Sequence, residues 1–317
     1  MTRDRDAILC GILIHWHDEA RAAALAAAWP VDTRFELLVV DNGSTSELHT
    51  GPHRLLRPGR NLGFGGAVNL ALEQTRAPIV LILNSDVRPE PDALDEIVEG
   101  FARHGAAVGL APRLLGTDDQ PQYTWQLRPL PTPWQLVLQA LMLPVWSGPV
   151  DEPVAGSPVE QPAAAVLAIR RQTLVDLGGF DERFFPAWFE DVDLAARLHR
   201  TGGRILYWPR AQFVHELGTS VDRLGYGRFL WIHYRNLLVY LRKHHGLLWS
   251  IPTQMLLVPA SLIRLMLLPL RRPRRADSRK EAASGLLGLA VGALSGWRLP
   301  RDYPFPPPSR SEVEDSA

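Results

Sequence analysis

Cysteine is nearly missing from this chain: Cys10 is the single one in 317 residues. No disulfide can form within the chain, and a reducing compartment is expected. An excess of charge of either sign is missing too. Lys and Arg number 34 and Asp and Glu 34, for a formal net charge of zero. Nothing therefore draws the whole chain toward nucleic acid. A leader-like run is lacking: the apolar stretch 8–14 follows the charged MTRDRD and is too short for a signal peptide. The expectation is a cytoplasmic protein. No internal repeat is visible. The dinucleotide fingerprint G-x-G-x-x-G is also incomplete, because Val68 stands where Gly63 and Gly65 would require a third glycine.

What is present is a soluble globular composition, 46% hydrophobic and 21% charged. The length suits one domain with a full core plus an extension. Residues 8–14, 35–40 and 79–83 are apolar nearly throughout, as in strands buried on both faces. Shorter strands are expected at 53–56, 106–110, 163–169 and 204–208. Helical patterns fill 18–29, 61–74, 91–103, 171–177 and 229–241. Strands alternating with helices predict an α/β fold with a mostly parallel central sheet covered by helices. Ligands of such sheets sit outside the carboxyl ends of the strands. Residues 117–162, rich in Pro, Gln and Trp, read as a long irregular connection of the kind that serves as a lid.

The candidate chemistry lies in short polar segments. Asp41 directly follows a buried strand; its carboxylate suits a nucleobase or ribose, or an Asx-turn closing on its own backbone. Asn84-Ser85-Asp86 follows another. Asp86 suits Mg²⁺ or Mn²⁺ beside diphosphate oxygens, or a turn before the next helix. Gly63, Gly65 and Gly66 admit close approach of a phosphate or base, or a tight packed turn. The stretch 177–215 carries an acidic cluster, Glu190, Asp191 and Asp193, at a helix start behind Phe184, Phe185, Trp188 and Phe189. Carboxylates in a first helical turn are held ionised by the macrodipole. Asp193 has Arg197 four residues on, a ready structural pair, whereas Asp191 faces only Ala195 there. Asp191 is therefore the better candidate for a working base. His215 is either structural or an added metal or phosphate ligand.

Six segments together resemble family 2 glycosyltransferases of the GT-A fold, particularly the bacterial rhamnosyltransferase-like branch. They are LLVVDNGSTS (37–46), RNLGFGGAVNLAL (60–72), LILNSDV (81–87), LGGFDERFF (177–185), FEDVDLAARLHRTGGRILYWP (189–209) and His215. The resemblance implies Asp191 as catalytic base, and Asp86 with His215 as ligands of Mg²⁺ or Mn²⁺. It implies a donor and acceptor site drawn from Trp16, Asp41, Gly43, Asn61, Gly63, Asn69, Asn84, Ser85, Trp188 and Glu190. The implied reaction is an inverting, metal-dependent transfer from a nucleoside diphosphate sugar, with dTDP-rhamnose as first choice. The implied acceptor is a lipid-linked or cell-envelope glycan. Asn84 replaces the first acid of the family's Asp-x-Asp, and His15-Trp16-His17 stands where relatives carry a Thr/Ser-Tyr-Asn signature; Trp16 suits stacking on a ring. The alternative is a non-catalytic nucleotide-sugar-binding or scaffold protein on the same fold.

Residues 1–225 are expected to form the catalytic domain, 226–298 a helical extension and 299–317 a disordered tail. Residues 247–270 are long and apolar enough to cross a bilayer, but Pro252, Pro259 and Arg264 favour one or two helices lying in its plane. Arg271, Arg272, Arg274 and Arg275 follow and suit an anionic membrane surface, making the protein peripheral on the inner face of the cell membrane. Packing onto the catalytic domain or in a homodimer is the other outcome.

Overall fold

The computed structural model describes residues 7–145, 151–216, 224–270, 273, 276 and 278–297. The tail 299–317 and the four arginines Arg271, Arg272, Arg274 and Arg275 lie outside the described residues. The chain divides into two compact units. The first holds residues 1–130, 147–182 and 190–217; the second holds 131–146, 183–189 and 218–317. The division is thus interleaved rather than a single boundary near residue 225.

In chain order the elements are β1 (Leu9–His15), α1 (Glu19–Ala28), β2 (Phe35–Asp41), β3 (Arg54–Leu56), α2 (Gly63–Glu73), β4 (Ile79–Asn84), β5 (Val87–Pro89), α3 (Ala93–Arg103), β6 (Gly109–Leu115), α4 (Tyr123–Gln126), β7 (Leu127–Arg128), α5 (Pro133–Ala140), β8 (Pro158–Val159), β9 (Gln161–Pro162), β10 (Val166–Arg170), α6 (Arg171–Asp176), α7 (Glu190–Arg200), β11 (Ile205–His215), α8 (Tyr226–His245), α9 (Leu247–Leu267) and α10 (Arg279–Ser295). The main sheet runs β3-β2-β1-β4-β10-β6-β11-β5, with β8 paired to β11. Strands β1, β2, β3 and β4 are mutually parallel, and β10 enters antiparallel between β4 and β6. Successive side chains of a strand point to opposite faces. Leu9, Leu13, Leu37, Val39, Leu81 and Leu83 face one core, with Trp29, Phe101 and Trp208. Cys10, Ile12, Leu38, Val40, Val80 and Ile82 face the other, with Tyr207 and Phe180. Two covered faces explain why these strands read as unbroken apolar runs. Cys10 is free and buried, and burial pushes its thiol well up, so it packs as an apolar residue.

The stretch 117–162 is not irregular throughout: it holds α4, β7, α5, β8 and β9. Helix α5 starts at a capping box, in which Thr132 accepts from the Gln135 N–H and the Gln135 side chain answers the Thr132 N–H, with Pro133 in the first turn. The second unit is helical. Residues 247–267 form one continuous helix rather than a pair, despite Pro252 and Pro259 inside it. Each proline removes one helix hydrogen bond and crowds the carbonyl four residues back, and the helix is packed against α8 and α10. Helices α8 and α10 meet at glycines: a Cβ on Gly285 would stand 2.9 Å from the Gly227 Cα.

Candidate functional site

The register of the sheet gathers the polar strand ends of the first unit on one edge. His15 pairs with Asp41, and Ile14 with Asn84, so β1, β2 and β4 finish level. Strand β10 runs the other way and begins here, where the Asn84 N–H donates to the Ala165 carbonyl at 3.0 Å. The Glu216 N–H reaches the Asp86 carbonyl at 2.9 Å, which brings the end of β11 to the same edge. Helix α7 is tied on through Asp191, whose Oδ2 accepts from the Ala164 N–H at 3.4 Å. Asp41, Asn84, Ser85, Asp86, Asp191 and His215, far apart in sequence, thus share the carboxyl edge of the parallel strands.

At β1 and β2 the carboxylate of Asp41 is buried and already engaged. Its Oδ1 accepts from the Ser44 N–H at 3.0 Å, which is the Asx-turn, and Arg57 Nε sits 3.2 Å from Oδ2. His15 lies beneath, with Nε2 3.5 Å from Asp41 Oδ1 and neither ring nitrogen hydrogen-bonded. Burial holds the imidazole below its ordinary pKa, partly offset by the charge of Asp41. Trp16 is partly exposed, its ring edge-on to His17 at 5.0 Å. The His17 N–H donates to Ser44 Oγ, so the two strand ends are laced together.

The neighbouring glycine-rich turn is organised by Asn42, a residue the sequence reading passed over. Its amide donates to Asn61 Oδ1 and the Gly63 carbonyl, both at 3.2 Å, and accepts from the Leu62 N–H at 2.8 Å. Asn61 Oδ1 also takes the Gly63 N–H, so Asn61 caps its own loop. Gly43 is required there: φ is +85°, and a Cβ would lie 2.6 Å from the Asn61 nitrogen. Asn69 is a clamp on the other flank of α2. Both its amide ends are used, by the Phe180 backbone and Glu182 Oε1. Its place is structural, although the turn it holds leads toward α7.

Around β4 the polar groups form a linked set. Ser85 Oγ donates to Asp18 Oδ2 at 2.8 Å, and Arg21 joins Asp18 to Glu216. His215 Nε2 stands 3.6 Å from Asp86 Oδ1. The Gln122 amide is oriented by donating Nε2 to the His215 carbonyl, so its Oε1 accepts from Nδ1 at 2.9 Å. The other nitrogen, Nε2, then presents a lone pair toward a carboxylate. Burial lowers the His215 pKa and favours that neutral form, against the pull of Asp86. Two acceptors facing each other fit a divalent cation between them, with the second-shell support usual for a ligating His. Among the described residues no cluster of three or more His, Cys, Asp or Glu could hold a metal alone. Trp125, 39% exposed, stacks obliquely on His215 at 5.1 Å and is a second residue the sequence reading missed.

Helix α7 separates its acids as the spacing predicts. Asp193 is buried in an ion pair with Arg197 Nε at 2.8 Å. Asp191 is partly exposed and, among the described residues, accepts only backbone N–H groups, from Ala164 and Val192. Glu190 is buried with Oε2 unpartnered, and burial together with Asp191 pushes its carboxyl well up. Of the candidate residues, Trp188 alone belongs to the second unit. There it stands edge-on to Phe229 at 5.1 Å. Trp188 and Phe189 both have positive φ, 70° and 73°, a strained backbone just before α7. Asn236 holds it by donating to the Phe184, Ala187 and Trp188 carbonyls.

Residues 22–151 match the family model described as Glycosyl transferase family 2. The N-acetylglucosaminyl-diphospho-decaprenol L-rhamnosyltransferase of Mycobacterium tuberculosis is 29% identical over 289 residues, 83% of this chain and 92% of the relative. The pre-mycofactocin glycosyltransferase of the same organism is 28% identical over 197 residues, 58% of this chain and 38% of that one. Among solved structures, the mannosyltransferase PcManGT of Pyrobaculum calidifontis with GDP-Man and Mn²⁺ aligns at TM-score 0.52 and 16% identity, over 93% of this chain and 89% of that one. TarS 1-349 of S. aureus with UDP-GlcNAc aligns at TM-score 0.50 and 16% identity, over 90% and 81%.

Proposed function

From the premise that this chain is a family 2 glycosyltransferase of the GT-A fold, rhamnosyltransferase-like, we propose that it transfers a sugar from a nucleoside diphosphate donor to a hydroxyl of a lipid-linked glycan, with inversion. L-Rhamnose is the first choice of sugar, since the relative that aligns over most of both chains is a rhamnosyltransferase whose name carries a diphospho-decaprenol acceptor. The observation that carries the reading is the position of Asp191, a carboxylate held by two backbone N–H groups at the sheet edge that also bears Asp86 and His215.

In this reading the acceptor oxygen attacks the anomeric carbon and its proton passes to Asp191. The bond from that carbon to the diphosphate breaks, and the nucleoside diphosphate leaves. A positioned general base of this kind typically contributes about 10²–10⁴-fold. Burial and the neighbouring Asp191 push the Glu190 carboxyl well up, which lessens the negative charge beside Asp191. Asp41 and Arg57 take the nucleoside end, and Trp16 offers a ring face. Asp86 and His215 would hold Mg²⁺ or Mn²⁺, which when bound stabilises charge on the leaving diphosphate. Peripheral attachment to the inner face of the cell membrane belongs to the same reading, because a lipid-borne acceptor is presented there. A panel of dTDP-, UDP- and GDP-sugars, scored by calorimetry and by product mass, tests it. Binding of one donor with turnover on a polyprenyl-diphosphate acceptor is expected; binding of none would leave a scaffold protein.

A further inference from the structure

Helix α9 is built inside out. A helix of a water-soluble unit turns its apolar stripe inward and its polar face to solvent. Here Ser250, Thr253 and Ser261 are buried. The Thr253 hydroxyl closes on the Trp249 carbonyl at 2.6 Å, and the Ser261 hydroxyl on the Leu257 carbonyl at 2.7 Å. Arg264 turns inward as well and bonds the Leu141 and Met142 carbonyls. Leu248, Ile251, Met255, Leu262 and Met266 point outward, with Leu248 90% and Met266 78% exposed. At ~100° per residue these five fall within a single stripe along the whole helix. Helix α10 repeats the pattern, with Leu287, Val291 and Leu294 exposed on one face.

We propose that the outward faces of α9 and α10 dock on a lipid bilayer, with α9 lying in the plane of the interface. Charge selects this occupant. The stretch after the stripe carries Arg271, Arg272, Arg274, Arg275, Arg279 and Lys280 against one acid, Asp277. Arg279 and Lys280 are exposed. A basic flank beside an apolar face is what an anionic membrane surface attracts. Helix α9 is the one helix among the described residues long and apolar enough to cross a bilayer, but its neighbours argue against a span. Helix α8, packed on it, carries Arg228, Arg235, Arg242 and Lys243, and α10 opens with Arg279-Lys280-Glu281. A perpendicular α9 would draw these charges into hydrocarbon.

The inference extends the proposed function, from which the lipid-borne acceptor comes, yet its test needs no donor. Full-length protein is floated with anionic and with zwitterionic vesicles, alongside the double variant I251E/M266E. Anionic vesicles should carry the wild type, high salt should weaken binding, and the variant should lose at least about tenfold in partition per residue. Both positions are exposed, so an unchanged thermal melt is expected to accompany the loss. Wild type left in solution at low salt overturns the proposal. So does a stable dimer that the same pair dissociates, which would make the face a contact with a second copy. Resistance to alkaline carbonate extraction overturns the in-plane orientation. Protein that floats but transfers no sugar leaves this inference standing and removes the proposed reaction; transfer to a water-soluble acceptor without flotation does the reverse.

Discussion

Two residues at the carboxyl edge of the sheet, Asp191 at the start of α7 and His15 at the end of β1, are open to test through different physics. Asp191 is held by backbone N–H groups with no cation beside it in the bonds it makes, so its lone pairs are available to an incoming hydroxyl. Asp191→Asn keeps the shape and removes the proposed base. We expect kcat to fall by about 10²–10⁴-fold while calorimetric donor affinity stays near wild type; undiminished turnover would move the base elsewhere. His15 is buried under Asp41 and its pKa is lowered by that burial. The folded state therefore keeps it neutral at pH values where the unfolded chain has already taken a proton, below about 6.5. Its contribution to stability is present above that pH and is lost as the pH falls toward the folded value. The carboxylates that face it, Asp41, Glu19 and Asp18, and the neighbouring His17 set the depth of the window. Urea unfolding as a function of pH should show a shallower acid loss in His15→Asn; an identical profile would exclude His15 as a source. Asp191 was legible in the sequence because Asp193 had a partner at i+4 and Asp191 had none. Asn42 was not, because its three partners lie some twenty residues away in another loop.

At the level of elements, the segment 183–189 leans on helix α8. Trp188 and Phe189 occupy left-handed backbone that costs roughly 1–3 kcal/mol each. The Asn236 side chain from α8 satisfies three of the segment's carbonyls. Asn236→Ala strands those buried acceptors, and a loss of about 1–3 kcal/mol in urea unfolding is expected. Faster amide exchange confined to 183–189 should accompany it, and turnover should fall because Glu190 and Asp191 follow directly in the chain. Unchanged exchange there would mean that the segment is held by its aromatic packing. The apolar strands were legible from their unbroken runs, since both faces of the sheet are covered. The helices of 117–162 were not, although Thr132-Pro133-x-Gln135 is a helix-start signature. Their flanks are Pro- and Gln-rich, and α4 is too short to show a period.

For the whole molecule the proposed cation is the point a test can decide. In that reading Asp86 and His215 would supply two ligands, and the described residues gather no third acid or histidine with them. Affinity should therefore be modest and rise when a diphosphate is present. Chelation is expected to abolish turnover, with Mn²⁺ or Mg²⁺ restoring it. Asp86→Ala should raise the metal concentration needed by at least about tenfold without shifting the melting curve. Full activity in chelator would remove the metal from the reaction.

The sequence alone determined the α/β class, the family resemblance, which strand ends carry Asp41 and Asp86, and that Asp191 opens a helix. It could do so because local period and turn chemistry report on one strand or helix at a time. Tertiary structure decided the rest. It placed His215 against Asp86 across β5 and β11, engaged Asn61 and Asn69 in holding turns, and interleaved 131–146 and 183–189 with the C-terminal helices. It also decided which side of α9 is inside. A helix with hydroxyl residues on one face and an apolar stripe on the other reads the same in either orientation, and only its packing against α8 and α10 shows that the stripe of Leu248, Ile251, Met255, Leu262 and Met266 faces out.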